Sequence, residues 1–271
     1  MNRGLLLKVF RETWALTAGV CAAVILFELL MTYAFSVFKE DFASQILEVP
    51  FIRNIIQAIL GAEVGPGQVG VALMSITWVH PLLLVLVWTH AVTFCTRTPA
   101  GEVDRGTADL WLTLPVSRFE VLAAESTVLI VSAVALIACV WAGNRLGTAI
   151  FAADLTAHGR SALAVSVNLL AFYLAVAALA FLTSALTSRR GTAIAAAFAF
   201  LVGSYLLNLV TQFAAVSAFL APLSLMHYYQ PMAVLRGQYG PATDVLILLG
   251  FAVACWLLSL WRFTTREILT A

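Results

Sequence analysis

The chain has 271 residues, of which 62% are hydrophobic and 11% charged, and its net charge is +1 at pH 7. Soluble domains carry about a quarter of their residues as charges, so this composition excludes an ordinary soluble globule, and the balance of charge carries no footprint of a nucleic-acid partner. Cys21, Cys95, Cys139 and Cys255 lie far apart with no C-x-x-C pair, which excludes a disulfide framework or a zinc site and leaves them as small buried apolar residues.

A helix needs about 20 consecutive apolar residues to cross a bilayer. Six runs qualify: residues 15–38, 69–96, 119–142, 161–186, 191–219 and 243–263. They predict an all-α membrane protein with six transmembrane helices in a single domain over 1–271. Arg3, Lys8 and Arg11 precede the first run, as in a signal peptide. That run is too long for a signal core, contains Glu28 and has no small-residue cleavage site before Lys39, so it is read as a span. Between the first two spans, Phe51, Ile52, Ile55, Ile56, Ile59 and Leu60 predict a helix lying in the outer interface, and Gly65-Pro66-Gly67 then breaks the chain.

Between spans two and three lies the stretch EVDRGTADLWLTLPVSRFE, residues 102–120. Pro99 suits the first turn of a helix. From there Val103, Thr107, Leu110, Trp111 and Leu114 fall on one face, and Glu102, Arg105 and Asp109 on the other. Leu114-Pro115 stops the helix, and Ser117-Arg118-Phe119-Glu120 reads as a capping box opening span three. The residues alone leave open a helix resting on lipid, but a polar face of mixed sign suits a protein partner better than an anionic bilayer.

Spans four and five are joined by the tight basic turn Thr187-Ser188-Arg189-Arg190. With the N-terminus inside, ten basic residues fall on the inner segments and five on the outer: Arg3, Lys8, Arg11, Arg97, Arg105, Arg118, Arg189, Arg190, Arg262 and Arg266 against Lys39, Arg53, Arg145, Arg160 and Arg236. The positive-inside rule therefore places both termini in the cytoplasm. Glu28 and His80 fall near the middle of spans one and two, at similar depth, and are expected to face each other or a shared polar cavity. A charge there costs about 2.5–3.5 kcal/mol on insertion scales. Asn168, Asn208 and Gln212 are candidates for lining a pathway, although such groups more often join helices.

Asp104-Arg105-Gly106-Thr107, the run from Leu110 to Arg118 with Leu114-Pro115-Val116-Ser117-Arg118 at its end, and Glu120 together resemble the type-2 exporter permeases of ABC transporters. The turn Ser184-Ala185-Leu186-Thr187-Ser188-Arg189-Arg190, the outer segment from Leu220-Ala221-Pro222 to His227-Tyr228-Tyr229-Gln230-Pro231, and the ending Phe263-Thr264-Thr265-Arg266-Glu267-Ile268-Leu269 resemble the same family in order. The resemblance implies a coupling helix in the first cytoplasmic loop. Val103, Asp104, Arg105, Gly106, Thr107, Leu110, Trp111, Leu114 and Pro115 would meet a separate ATPase subunit there. It also implies an amphipathic elbow helix over residues 5–14, a second permease copy or sister permease, and a multi-pass place in a bacterial inner membrane. ATP and Mg would be bound by the partner, with no cofactor in this chain.

The chain's own residues agree on one point. A P-loop needs Gly-Lys-Ser/Thr, and the only lysines, Lys8 and Lys39, follow Leu7 and Phe38. No H-E-x-x-H or G-x-S-x-G is present, and His80, His90, His158 and His227 are scattered, so no catalytic or metal residue is assigned. The expected function is an ATP-driven export permease working by alternating access, with a lean toward lipids or amphiphiles. The alternatives are an ATP-independent channel or secondary transporter, or a membrane scaffold.

Overall fold

Apolar runs of this length become helices because hydrocarbon offers backbone N–H and C=O groups no partner outside the segment. The computed structural model describes residues 3–42, 44, 48–60, 63–64, 68–107, 116–152, 159–213, 215–237 and 240–266, and helix is the only regular structure among them. Nine α-helices of five residues or more order the described chain: α1 Arg3–Asp41, α2 Pro50–Leu60, α3 Val69–Val79, α4 Pro81–Cys95, α5 Arg118–Phe151, α6 Gly159–Leu186, α7 Arg190–Phe213, α8 Pro231–Leu235 and α9 Ala242–Thr265. Six stretches are long and apolar enough to cross a membrane, α3 and α4 together forming the second.

Four details depart from expectation. Residues 5–14 do not form a separate elbow: no proline or glycine interrupts residues 5–18, a Lys8–Glu12 pair supports the helix at i,i+4, and α1 runs on unbroken. The second span is broken at His80, whose backbone is extended (φ −58°, ψ 131°). Pro81 disfavours helical backbone in the residue before it and has no N–H to return to the preceding turn. The His80 ring takes over part of that role, its Nδ1 accepting the Leu82 N–H at 3.2 Å. The third span continues past residue 142 to Phe151. The fifth ends at Phe213 rather than 219, and the chain goes on in 3-10 turns over Ala215–Leu223 and Leu225–Tyr228. A helix, α2, and the Ser117–Glu120 capping box form where the sequence predicts them.

α6 is the central helix: 78% of its most apolar stretch is buried, against 22% in α1, α7 and α9. Ala171, Ala175, Ala177, Ala178 and Ala180 let the others approach it closely. The non-helical backbone near Ser224 is buried too, and it is satisfied by protein. Ser224 Oγ donates to the Ser204 carbonyl at 2.8 Å, and Leu225 N–H donates to Ser204 Oγ at 2.8 Å.

α1 and α5 meet over Gly143 and Gly147, a G-x-x-x-G spacing that puts both glycines on one face. A Cβ on Gly143 would lie 3.1 Å from the Ile25 Cα, and one on Gly147 would collide with the Thr32 side chain, whose hydroxyl donates to the Glu28 carbonyl at 2.8 Å. Gly147→Ala is therefore expected to lower thermal stability in detergent, by about 1–3 kcal/mol as for other overpacked cores. Gly203→Ala, with open space around its Cβ position, is expected to leave the melting temperature unchanged.

Candidate functional site

Where α1 and α4 meet the start of α5, the chain gathers a cluster of charges of both signs. The loop after α4 is not one amphipathic helix from Pro99 to Leu114. Arg97–Gly101 forms a wide turn with Thr98 extended (φ −131°, ψ 130°), Glu102–Asp104 a single helical turn, and Gly106 takes a positive φ of 66° that ends it. That backbone region costs residues with a Cβ about 1–2 kcal/mol, and glycine escapes the penalty. Val103 and Thr107 are half-buried, and Asp104, Arg105 and Gly106 are exposed. Leu110, Trp111, Leu114 and Pro115, also expected on the coupling face, lie outside the described residues.

Arg97 is the centre of this region. It is buried, its Nη2 donates to both Glu125 oxygens at 2.6 and 2.7 Å, and its Nη1 pairs with Glu12 of α1. Lys8 lies 3.5 Å from Glu12 and 3.7 Å from Glu102, and Arg105 lies 3.3 Å from Glu102. Burial alone would raise the Glu102 pKa. The hydrogen bond from Thr107 and the charges of Lys8, Arg105 and Arg97 outweigh it and hold the carboxyl below its ordinary value near 4.5.

The same end is tied to the remaining helices. Ala100 N–H donates to Ser184 Oγ of α6 at 3.1 Å. Arg190, opening α7, donates its N–H to Asp104 Oδ2 at 3.3 Å and its Nη2 to the Thr93 carbonyl of α4 at 3.0 Å. Its Cδ lies 3.2 Å from where a Cβ on Gly101 would stand, so glycine there makes room for the arginine. Arg118 donates to the Phe263 and Arg266 carbonyls at 2.7 Å each, and Arg266 donates to the Ala185 and Thr187 carbonyls at 3.1 and 2.6 Å. Each of the six long helices thus has a polar link at this end.

The intramembrane candidates are not one cluster. Glu28 is fully buried and its Oε2 accepts from Asn144 Nδ2 at 2.9 Å. His80 contributes its ring to Phe27, centroids 5.3 Å apart, and its Nδ1 to the helix break, so Glu28 has Asn144 rather than His80 as its hydrogen-bond partner. Asn168 donates to the Tyr228 carbonyl at 3.0 Å and joins α6 to the segment before α8. Asn208 is half-buried on α7. A separate buried chain links Thr17 Oγ1 to His90 Nε2 at 3.0 Å and His90 Nδ1 to the Tyr173 hydroxyl at 2.7 Å, crossing from α1 through α4 to α6.

Residues 59–269, more than three quarters of the chain, match the family described as protein of unknown function (DUF2705). The chain belongs to that family. No curated protein and no solved structure matches it. The matched region takes in the loop, Arg97, Glu125, Asn144 and the helix break, and begins beyond α1.

Reading by spans missed Arg97, Glu125 and Asn144. Arg97 flanks a span and reads as a surface charge, and Asn144 lies just past the expected end of span three. Glu125 carried the one available signal, an acid seven residues inside α5.

Removing one partner of a buried pair leaves an uncompensated charge, a loss of about 3–5 kcal/mol, whereas replacing both with apolar groups is often neutral. Arg97→Met is expected to destabilise the chain strongly, and Arg97→Met with Glu125→Leu to recover most of the loss, read by thermal unfolding in detergent. Glu102 makes a second expectation. Its carboxyl is held below the ordinary value, so its stabilising effect is complete above pH 4.5 and is lost as pH falls through the lowered value. Glu102→Gln should flatten that acid limb of the stability profile.

Proposed function

We propose that this chain is the transmembrane permease subunit of an ATP-driven exporter of the ABC type. Both termini lie in the cytoplasm, and the chain is a multi-pass protein of a bacterial inner membrane. It pairs with a second copy or a sister permease, and each permease engages a separate ATPase subunit that binds ATP and Mg. The single observation that carries this reading is the mechanical attachment of the loop. Over residues 97–107 it is bonded to α1, α5, α6 and α7, so a partner that displaces it moves spanning helices with it. The motif resemblance from Asp104 to Glu120 and the six-helix layout support the same conclusion.

ATP binding closes the ATPases, the loops are carried with them, and the two permeases switch between inward- and outward-facing states. An apolar cleft of about 270 Å³ opens between α5, α6 and α9, lined by Leu129, Leu174, Phe181, Leu249 and Trp256, and favours a lipid or amphiphile as substrate. Trp256 Nε1 donates to Ser126 Oγ at 2.8 Å, so the cleft wall is fixed without a free polar group at that point. An ATP-independent carrier is the second reading. A span broken beside a buried carboxyl is the observation that favours it.

Purification of the chain in mild detergent from its native host is expected to bring down a stoichiometric P-loop protein with ATPase activity. Leu110→Asp with Trp111→Asp should release that protein, and Trp111→Ala should leave hydrolysis running while transport falls. Eluate without a nucleotide-binding partner, or one retained by the double variant, sinks the reading in favour of the second.

A further inference from the structure

Glu28 is the most deeply buried carboxyl among the described residues, with no exposed surface, and no Lys, Arg or His forms a salt bridge with it there. One of its oxygens accepts from Asn144 at 2.9 Å, while Oε1 has no hydrogen-bond partner among the described residues. An acid whose task is only to join α1 to α5 would be satisfied at both oxygens, and that joint is already made by Gly143, Gly147 and the Thr32 side chain.

The surroundings are rich in oxygen. Thr77 Oγ1 accepts from the same Asn144 nitrogen at 3.4 Å and donates its own proton to the Met74 carbonyl at 2.8 Å, so one amide group brings the threonine oxygen and the carboxyl together. The Thr77 carbonyl loses its usual helical partner because residue 81 is proline. The Trp78 carbonyl next to it is taken by the Tyr229 hydroxyl at 3.0 Å, so the break releases carbonyls from the helical ladder and a side chain binds one of them. The groups around Glu28 are Asn144, which donates to it, and Gly143 from α5, with Thr77 of α3 on the same Asn144 amide; His80 packs against Phe27, the residue before Glu28, and the Tyr229 hydroxyl is held by the Trp78 carbonyl. None is a cation held against the carboxyl. A buried carboxylate without one must be neutralised, and hard oxygen ligands select a hard ion.

We propose that Glu28, with Asn144 and Thr77 beside it, forms an intramembrane binding site for one monovalent cation, a proton or a sodium ion. The site goes beyond the coupling reading and stands apart from it, about 24 Å along α1 from Glu12 at 1.5 Å per residue. Its failure and the failure of the ATPase reading are therefore separate outcomes.

The test is carbodiimide labelling. The purified full-length chain in detergent is treated with dicyclohexylcarbodiimide, which attacks protonated buried carboxyls, across a pH series in sodium, potassium or choline chloride, and Glu28 is followed by mass spectrometry. A proton site gives labelling that is lost as pH rises and is equal in the three salts. A sodium site gives labelling that sodium suppresses and potassium and choline do not. Thermal stability is the second readout: the wild type should shift with pH or sodium, and Glu28→Gln, which keeps an oxygen for Asn144, should abolish the shift. Glu28 that labels equally at every pH and in every salt overturns the site. So does a Glu28 that never labels, in a chain whose pH and sodium dependence of stability is unchanged by Glu28→Gln.

Discussion

The guanidinium of Arg97, buried between Glu12 of α1 and Glu125 of α5, is the interaction on which the arrangement at this end depends. Taking the Arg97 and Glu125 charges out of water is unfavourable unless each finds a partner, while Glu12 meets the same guanidinium from the exposed side. Two helices far apart in sequence must therefore present their acids at the same level, beside the first residues after α4. A buried ion pair is weak evidence of added stability, and removing one partner is far more costly than replacing both. Its consequence here is where the loop sits. Lys8, Glu102, Arg105 and Asp104 continue the network outward, so the charges grade from buried to exposed across one short segment.

The opposite demand is met at the middle of the bundle. The second span is interrupted at His80–Pro81, and freed backbone groups there are answered by a histidine ring and a tyrosine hydroxyl. Helix joints made by small residues, as at Gly143 and Gly147, need no polar group at all. Polar side chains at this depth are therefore informative where packing does not call for them. Thr17, His90 and Tyr173 form a satisfied chain, whereas one oxygen of Glu28 has no hydrogen-bond partner among the described residues.

Much of the fold was legible because hydropathy and length alone decide which segments can cross a bilayer. The six runs, the helix α2 and the Ser117–Glu120 cap follow from local chemistry. The break at His80 was legible in principle, since Pro81 announces it, but a continuous apolar run hides a change in backbone. The loop was legible as to residue type and misread as to shape. Its helical spacing persists through Gly106, while glycine's access to positive φ ends the helix there. The pairing of Arg97 with Glu12 and Glu125, and of Glu28 with Asn144, was not legible, because the partners lie on different helices and no local pattern records which faces meet.

The absence of an elbow in α1 has a mechanical meaning. A helix of 39 residues with no proline, and with its two glycines at Gly4 in the first turn and Gly19 further in, resists twisting and bending, so its two ends are not reoriented independently. Glu12 and Glu28 ride on the same stiff rod. Whatever rotates the rod at the charged end is felt at the buried carboxyl, and whatever occupies the carboxyl is felt at the charged end. Linkage makes such an influence equal in both directions, so the helix serves as a shaft with two handles.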